Sequence, residues 1–333
     1  MQPGITRSWP LLRGVLRSLR EAEAWLVRLE LAFKAARHTI LPPWTARAVK
    51  TAVYSLSCPS MLRGALEARG GFKPVRLTPL QVDGKPLYQY RSSAPPLYLA
   101  EGKTVEASIA YLARSPEEAG GILLQAGAGC NGALPDPWSG LQASIVGVAF
   151  ESLASALEKH PASRLEPGDT VEVRLVTPLL VSLGSLLGTG CPGDPIPGEE
   201  GLRNTYKLLV DPGIIAAVTL RTAIGVVLGD EVKGNLTPGV ARRTVEWGVE
   251  ELSYRLSPVT VLYGRNEPSG GDGSEYKLVR GVTGKMVFRV LTRQAAETLR
   301  VLLPLAENLG IGRSRSIGFG MVSSRVLPPP GNT

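Results

Sequence analysis

Residues 25–34 (Trp25-Leu26-Val27-Arg28-Leu29-Glu30-Leu31-Ala32-Phe33-Lys34) alternate between core-seeking and solvent-seeking side chains, the period of a half-buried strand. Just before it, within residues 7–25, Leu12, Val15, Leu16 and Leu19 fall at helical spacing with Arg13, Arg17 and Arg20 between them, which predicts a basic amphipathic helix. Leu41-Pro42-Pro43-Trp44-Thr45 resets the chain, and Thr45 is placed to cap a helix over 46–54. A second helix is predicted over 60–68, ended by Gly70-Gly71. Apolar runs at 75–80 and 86–90 flank Asp83-Gly84, a hairpin signal. A strand at 104–113 follows, then a loop rich in Gly, Pro and Asn at 127–140 and a mixed apolar region at 140–158. Strand, helix and hairpin in that order open a ferredoxin-like βαββαβ unit.

Pro161, Pro167 and Gly168 mark a break at 160–169, after which residues 170–176 alternate cleanly and start a second unit. A Gly/Pro-rich insertion occupies 188–201, residues 206–228 mix helical and strand-like signals, and 242–254 lean towards strand. A turn-rich loop at 266–274, a strand at 284–290, a helix at 294–309 and a strand at 319–326 complete the chain. Pro304 is expected to kink or split that last helix. The pattern predicts an α+β protein of two tandem ferredoxin-like (RRM-like) domains with a C-terminal glycine-rich loop. Its parts are a basic helical arm at 1–24, an N-terminal domain at 25–165 and a C-terminal domain at 166–333.

A length of 333 residues fits two domains, and 44% apolar residues with only 6% aromatics predict aliphatic cores. The formal charge of +8 points to an acidic partner, nucleic acid first and anionic lipid second. Cys58, Cys130 and Cys191 are far apart and form no CxxC pair, which argues against a disulfide framework and a cysteine zinc site. A reducing cytoplasm follows, with no metal and no cofactor expected. No apolar run reaches the roughly 20 residues of a membrane helix. The nearest, 174–190, is interrupted by Pro178, Gly184 and Gly188. The arm lacks a signal peptide's unbroken apolar core; a basic amphipathic helix can lie on a membrane or on RNA, and this one is expected to be a solvated arm packed on its own domain.

Gly310-Ile311-Gly312-Arg313-Ser314-Arg315-Ser316-Ile317-Gly318-Phe319-Gly320 joins the last helix to the last strand. It has no Gly-Lys-Ser/Thr, and its helix-then-strand order is the reverse of a dinucleotide fingerprint. Loop N–H groups freed by Gly310, Gly312, Gly318 and Gly320, beside Arg313 and Arg315, suit a phosphate backbone. The plain alternative is a helix-to-strand connection with a glycine C-cap. Guanidinium groups stay charged near pH 7, so the two arginines fit ligand binding better than proton transfer.

Gly281-Val282-Thr283-Gly284-Lys285-Met286-Val287-Phe288, the helix end Ala306-Glu307-Asn308-Leu309-Gly310-Ile311-Gly312 and the closing Gly318-Phe319-Gly320-Met321-Val322 together resemble one signature. It is that of the CRISPR repeat-associated (RAMP) superfamily, and within it of the endoribonucleases that process repeat RNA. The Leu41-Pro42-Pro43-Trp44-Thr45 segment and the Phe72-Lys73-Pro74 entry to the hairpin resemble archaeal members. The resemblance implies a tandem ferredoxin-like fold, CRISPR repeat RNA as ligand, and one metal-independent cut per repeat leaving a 5′-hydroxyl and a 2′,3′-cyclic phosphate. Non-catalytic RAMP subunits of effector complexes share similar glycine loops and form the alternative. Other effector subunits and a second copy of the chain are the protein partners left open.

Many relatives use a tyrosine on the first helix, a histidine in the second helix region and a lysine near the hairpin entry. The tyrosine and lysine positions fall on Tyr54 and Lys73, whereas the histidine position falls near Glu67. Some archaeal members lack that histidine and use a lysine-rich site. His38, just before the first helix, is a candidate for the proton transfers that histidine performs near neutrality, and His160 at the domain break is a weaker one. Arg47 and Lys50 lie three apart on the predicted helix and share a face with Tyr54, so two cations and a phenol could meet one phosphate. The bland alternative is a solvated helix face.

Overall fold

In a computed structural model of the chain, the described residues are 3–56, 58–68, 72–90, 94–127, 130–182, 206–229, 237–265 and 276–328. Helix α1 (Pro3–Glu21) is followed by β1 (Trp25–Ala35), β2 (Thr39–Leu41), α2 (Ala46–Ser55) and α3 (Ser60–Glu67). The short strands β3 (Val75–Leu77), β4 (Gln81–Val82), β5 (Lys85–Pro86) and β6 (Leu97–Leu99) lead to β7 (Thr104–Ala113). Then come α4 (Pro116–Gly127), β8 (Gly132–Ala133), β9 (Leu141–Ser152) and α5 (Leu153–Lys159). Strand order β5-β4-β7-β1-β9-β8, with β3 also on β7, is the antiparallel order of a ferredoxin-like unit whose hairpin strand is broken into β3 and β4. β4 and β5 close the predicted turn at Asp83-Gly84, both of which have positive φ.

The second unit contains β10 (Thr170–Leu179), β11 (Val181–Ser182), β12 (Tyr206–Lys207), α6 (Pro212–Ala223) and α7 (Thr237–Gly248). It continues with β13 (Val249–Arg265), β14 (Tyr276–Val290), α8 (Arg293–Leu309) and β15 (Val322–Leu327). Its order β13-β14-β10-β15 repeats the arrangement of the first sheet. Two ferredoxin-like units therefore stand in tandem, as the hydrophobic pattern predicts.

Four expectations are corrected. Residues 242–248 lie in α7 and only the chain from Val249 is strand, because Val240, Ala241, Thr244 and Val245 are buried at helical spacing. Helix α8 runs unbroken past Pro304, since Leu303, Pro304 and Leu305 are all buried and packing offsets the missing hydrogen bond. Thr45 makes no side-chain cap to α2. Its hydroxyl instead donates to the Leu87 carbonyl (2.5 Å) and accepts from the Leu80 amide (3.0 Å), tying the hairpin to the start of α2. Cys58 and Cys130 are joined by a disulfide, their Cα atoms 4.5 Å apart. The fold brings the α2–α3 turn onto the segment after α4, a proximity that a separation of 72 residues hides. Cys191 and the insertion at 188–201 lie outside the described residues, as does the loop at 266–274.

The arm is also placed differently. Leu12, Leu16 and Leu19 of α1 are buried mainly in the core of the second unit, with α7 and α8, while α1 also touches α5 of the unit it precedes. The first unit has its own core around Leu29, Leu31, Phe33, Val49 and Val53. A third cluster joins the two: Trp44, Ala46 and Tyr88 from the first pack with Leu180, Val261 and Phe319 from the second. No helix among the described residues is long and apolar enough to cross a membrane.

Candidate active site

Helix α2 sits where the two units meet. Its start is held by the glycine loop: the Trp44 ring stacks on Phe319 with centroids 4.0 Å apart and planes 9° apart, and Trp44 Nε1 donates to the Ile317 carbonyl at 2.5 Å. Its other end is held by α3, whose Arg63 donates to the carbonyls of Val53 (2.9 Å) and Leu56 (2.5 Å). Such bonds satisfy the carbonyls a helix leaves without partners at its C-terminus. The buried face of α2 carries Ala48, Val49, Ala52 and Val53, which turns Arg47, Lys50 and Tyr54 towards the outside.

Those three do come together, and Lys73 and Glu67 join them. Lys50 Nζ stands 5.5 Å from the centroid of the Tyr54 ring, a cation–π contact. Burial, then the cations Lys73 and Arg47, lower the Lys50 pKa below its ordinary value, with Glu67 opposing. Burial, with the Glu67 carboxylate in support, pushes the Tyr54 phenol up, so it stays protonated at neutral pH. Lys73 Nζ donates to the Leu66 carbonyl at the end of α3, a place where cations are favoured. The result is three cations, a neutral phenol and one carboxylate, contributed by α2, α3 and the hairpin entry.

His38 is not part of that group. Its ring stacks on Tyr98 (centroids 5.7 Å apart, planes 11° apart), its Nδ1 is bonded to the Tyr98 hydroxyl, and it is not among the charges that shift Lys50 or Tyr54. His160 is also engaged elsewhere, with Nε2 3.2 Å from Glu307 Oε1 and Nδ1 accepting from the Ala162 amide at 3.1 Å.

The glycine loop is corrected as a phosphate cradle. Gly310, Gly318 and Gly320 are buried and Gly312 is half-buried. Gly320 has φ +70° and faces the protein's own backbone: a Cβ there would lie 1.8 Å from the Ile311 carbonyl oxygen, which leaves no room for any side chain. Gly318 likewise abuts the Ala46 methyl at the start of α2. Arg315 is 4% exposed and donates to the carbonyls of Leu309 (2.7 Å) and Lys73 (3.1 Å). Burial, with Arg76 beside it, lowers its pKa to about 10, still cationic at neutrality. The glycines thus allow tight packing and Arg315 is a stitch between units, which leaves Arg313 and Ser314 as the exposed residues of the loop.

Further residues that sequence reading did not single out lie beside these. Tyr263 of β13 packs near Phe319, with ring centroids 5.9 Å apart; burial raises its pKa while Arg47 pulls the other way. Arg76 of β3 donates to the Glu307 carbonyl. Arg28 of β1 donates to Asn308 Oδ1 at 2.7 Å and meets Glu151 at 3.3 Å. Glu307 gathers His160 and Ser324, whose hydroxyl donates at 2.7 Å; burial alone would raise its pKa, and these bonds bring it below the ordinary value. Glu307 and Asn308 fall in the helix-end motif, but no local signal marks Arg28, Arg76 or Tyr263, because contacts between distant segments create their roles. Among the described residues, no cluster of His, Cys, Asp and Glu is arranged to hold a metal ion.

Comparison with known proteins matches both units. The profile of the Cas6 N-terminal domain covers residues 27–124, and that of the CRISPR-associated endoribonuclease Cas6 covers residues 172–322. CRISPR-associated endoribonuclease Cas6 1 of Saccharolobus solfataricus is 25% identical over 293 residues, spanning 85% of this chain and 90% of the relative. Its Cas6 2 is also 25% identical, over 289 residues and the same shares. Among solved structures, Thermus thermophilus Cas6 superposes with a TM-score of 0.52 at 18% identity, over 91% of this chain and 99% of that one. A Cas6 product complex superposes equally well, with a TM-score of 0.52 at 18% identity over 91% and 100% of the two chains.

Proposed function

We propose a function for a chain that belongs to the Cas6 family of CRISPR-associated endoribonucleases: it binds the repeat of a CRISPR precursor transcript and cuts it once, without a metal. The observation that carries this reading is the grouping of Arg47, Lys50, Tyr54 and Lys73 around one exposed helix face, with the Lys50 pKa lowered. Perturbed ionisation in a group of cations suits proton transfer at a phosphodiester.

In the reaction the ribose 2′ oxygen bonds to phosphorus and the bond to the 5′ oxygen breaks. A 2′,3′-cyclic phosphate and a 5′-hydroxyl result. Lys50, whose amine gives up its proton more readily than an ordinary lysine, accepts the 2′-OH proton. Lys73 supplies positive charge and a proton at the leaving oxygen. Tyr54, held neutral, donates to a non-bridging oxygen as charge builds there. Arg47 and Arg313 bind flanking phosphates as permanent cations. Lys50 and Lys73 take the place of the family histidine, and His38 has no part in the chemistry. DNA lacks the attacking hydroxyl and is not cut.

The units that do this are those at 25–165 and 166–333, with the arm at 1–24. The cytoplasm, where such transcripts are made, is the workplace; the Cys58–Cys130 bridge fits there because both cysteines are buried and exchange needs thiolate access. Other effector subunits or a second copy are its protein partners.

The test is cleavage of the cognate repeat transcript in EDTA. A single cut per repeat with a cyclic-phosphate end, blocked by a 2′-deoxy nucleotide at the cut site, is expected. Binding with no cut between about pH 6 and 9, the range that brackets neutral acid–base chemistry, would make the chain a non-catalytic RAMP subunit instead.

A further inference from the structure

Helix α1 precedes the first residue of the family match, yet it is built into the second unit. Its apolar face is spent in that core through Leu12, Leu16 and Leu19. What it leaves outside is a row of arginines. With α8 it bounds a cleft of about 770 Å³ lined by Trp9, Arg13, Arg17, Arg20, Glu297 and Arg300 among others. A smaller cleft of about 170 Å³ adjoins it, shares Arg20 and Arg300, and runs onto α5 of the first unit along Leu157 and Glu158 and onto the following turn at Ser163. One groove therefore crosses from the second unit to the first.

The lining of that groove carries four arginines, Arg13, Arg17, Arg20 and Arg300, against three carboxylates, Glu21, Glu158 and Glu297. Arg17 pairs with Glu21 (2.8 Å), Arg300 with Glu166, and Glu297 is shared by Arg293 (3.1 Å) and Arg13 (3.9 Å). Arg20 has no ion-pair partner among the described residues. Arg13 and Arg17 are 71% and 77% exposed, so their pairs are weak and their charge is available to a ligand. Arg13, Arg17 and Arg20 follow one another along the helix at a rise of about 1.5 Å per residue, giving steps of roughly 6 and 4.5 Å. Trp9, half-buried against the core, lines the same cleft. Arginines tracking a backbone beside an aromatic ring are what sequence-tolerant binding of a single strand requires. A membrane is the poorer fit, because the apolar face needed for insertion is already buried.

We propose that the α1–α8 groove is a second RNA site, which holds a single-stranded tract flanking the repeat. It rests on the reading of the chain as an RNA-binding protein, but it uses none of the residues assigned to the cut. The backbone is gripped by Arg13, Arg17, Arg20 and Arg300, and a base stacks on Trp9. The affinity it adds depends on salt and not on sequence.

The test uses the full-length protein and two probes: a labelled oligouridine of about ten nucleotides, of the size single-strand sites accept, and the repeat extended by a single-stranded tract on either side, made uncleavable by a 2′-deoxy nucleotide at the cut. The Arg13→Ala, Arg17→Ala, Arg20→Ala triple variant is expected to bind both at least about tenfold more weakly. The slope of log affinity against log salt should flatten by about two, since each phosphate left without its arginine removes about 0.7 from it. The corresponding three lysine replacements should retain most of the slope, and Trp9→Ala should lower affinity without changing it. Cleavage of the bare repeat should continue in the alanine variant. Unchanged binding of both probes in the triple variant overturns the proposal and hands the groove to an acidic protein segment. Oligouridine binding that is normal in the unaltered protein and abolished in the variant, in a protein that cuts no repeat, would support the groove while removing the proposed enzyme.

Discussion

The Arg315 guanidinium donates to the main-chain carbonyl of Lys73, 3.1 Å away and 242 residues earlier in the chain. Its other nitrogen holds the end of α8 through Leu309 at 2.7 Å. A residue of the second unit thus fixes the backbone of a lysine assigned to the chemistry of the first. Arg315→Ala should leave two carbonyls without their donor and cost on the order of 2–4 kcal/mol. It should also slow cleavage more than it weakens RNA binding, because Lys73 loses its seat. Arg315→Lys should recover little, since one ammonium cannot span both acceptors. Thermal melts and single-turnover cleavage measure the two effects; full activity in Arg315→Ala would detach the stitch from the site.

Lys50 has a lowered pKa, from burial first and from Lys73 and Arg47 next. A base that works as the neutral amine makes the rate climb with pH up to that lowered value and then level off. Lys50→Ala should abolish the climb and reduce the rate by about 10²–10⁴, the usual worth of a positioned proton acceptor. Tyr54→Phe should keep the pH profile and lose about 10², as removal of one oxyanion donor does. Both should bind repeat RNA within a few-fold of the unaltered protein. An unchanged pH profile in Lys50→Ala would assign the base elsewhere.

Gly320→Ala probes what the loop is for. The added methyl would lie 1.8 Å from the Ile311 carbonyl, at a φ of +70°. The expected loss is folding stability on the order of 3 kcal/mol or more, read in a denaturant titration. The salt dependence of RNA binding by the remaining folded fraction should stay the same. A variant that folds normally and binds RNA with a flatter salt slope would restore the loop as a phosphate cradle.

The Glu307 carboxylate is held below its ordinary pKa: burial opposes this, and the bonds from His160 and Ser324 prevail. A depressed carboxylate contributes stability that is complete above its unfolded value, about 4.3, and is lost as pH falls through the folded one. Melting temperature should therefore drop on acidification below about pH 4.3, and Glu307→Gln should start lower and drop less over that interval. Parallel melting curves for the two proteins would show that the seam carries no such linkage.

How much is legible in the sequence depends on whether the signal is local. β7 coincides with its predicted span because residues 104–109 alternate, the apolar run continues to Ala113, and the long strand β1 pairs with it throughout. α2 and its outward face follow from the spacing of Arg47, Lys50 and Tyr54, and the structure adds Lys73 and Glu67 to them. α7 reads as strand because Thr244 and Val245 are β-branched, and burial at helical spacing outweighs that preference. The glycine loop misleads for a different reason. Positive φ is required whether a loop opens to a ligand or folds onto its own chain, so Gly318 and Gly320 look alike in either case. The Cys58–Cys130 bridge and the inward turn of Arg315 depend on contacts between distant segments, which no spacing reports.

The placement of α1 sets an order of assembly. Its leucines are satisfied mainly by α7 and α8, so in a chain made from the N-terminus they wait until synthesis has passed residue 309. At typical elongation rates that delay is on the order of tens of seconds. The 19-residue helix draws most of its stability from packing its apolar face, as helices in proteins do. The first ferredoxin-like unit must then fold without the helix that precedes it, and α1 docks last, as a latch. The basic groove exists only once that latch has closed, so a truncated or half-made chain could present the α2 cations to RNA but could not grip the flanking strand.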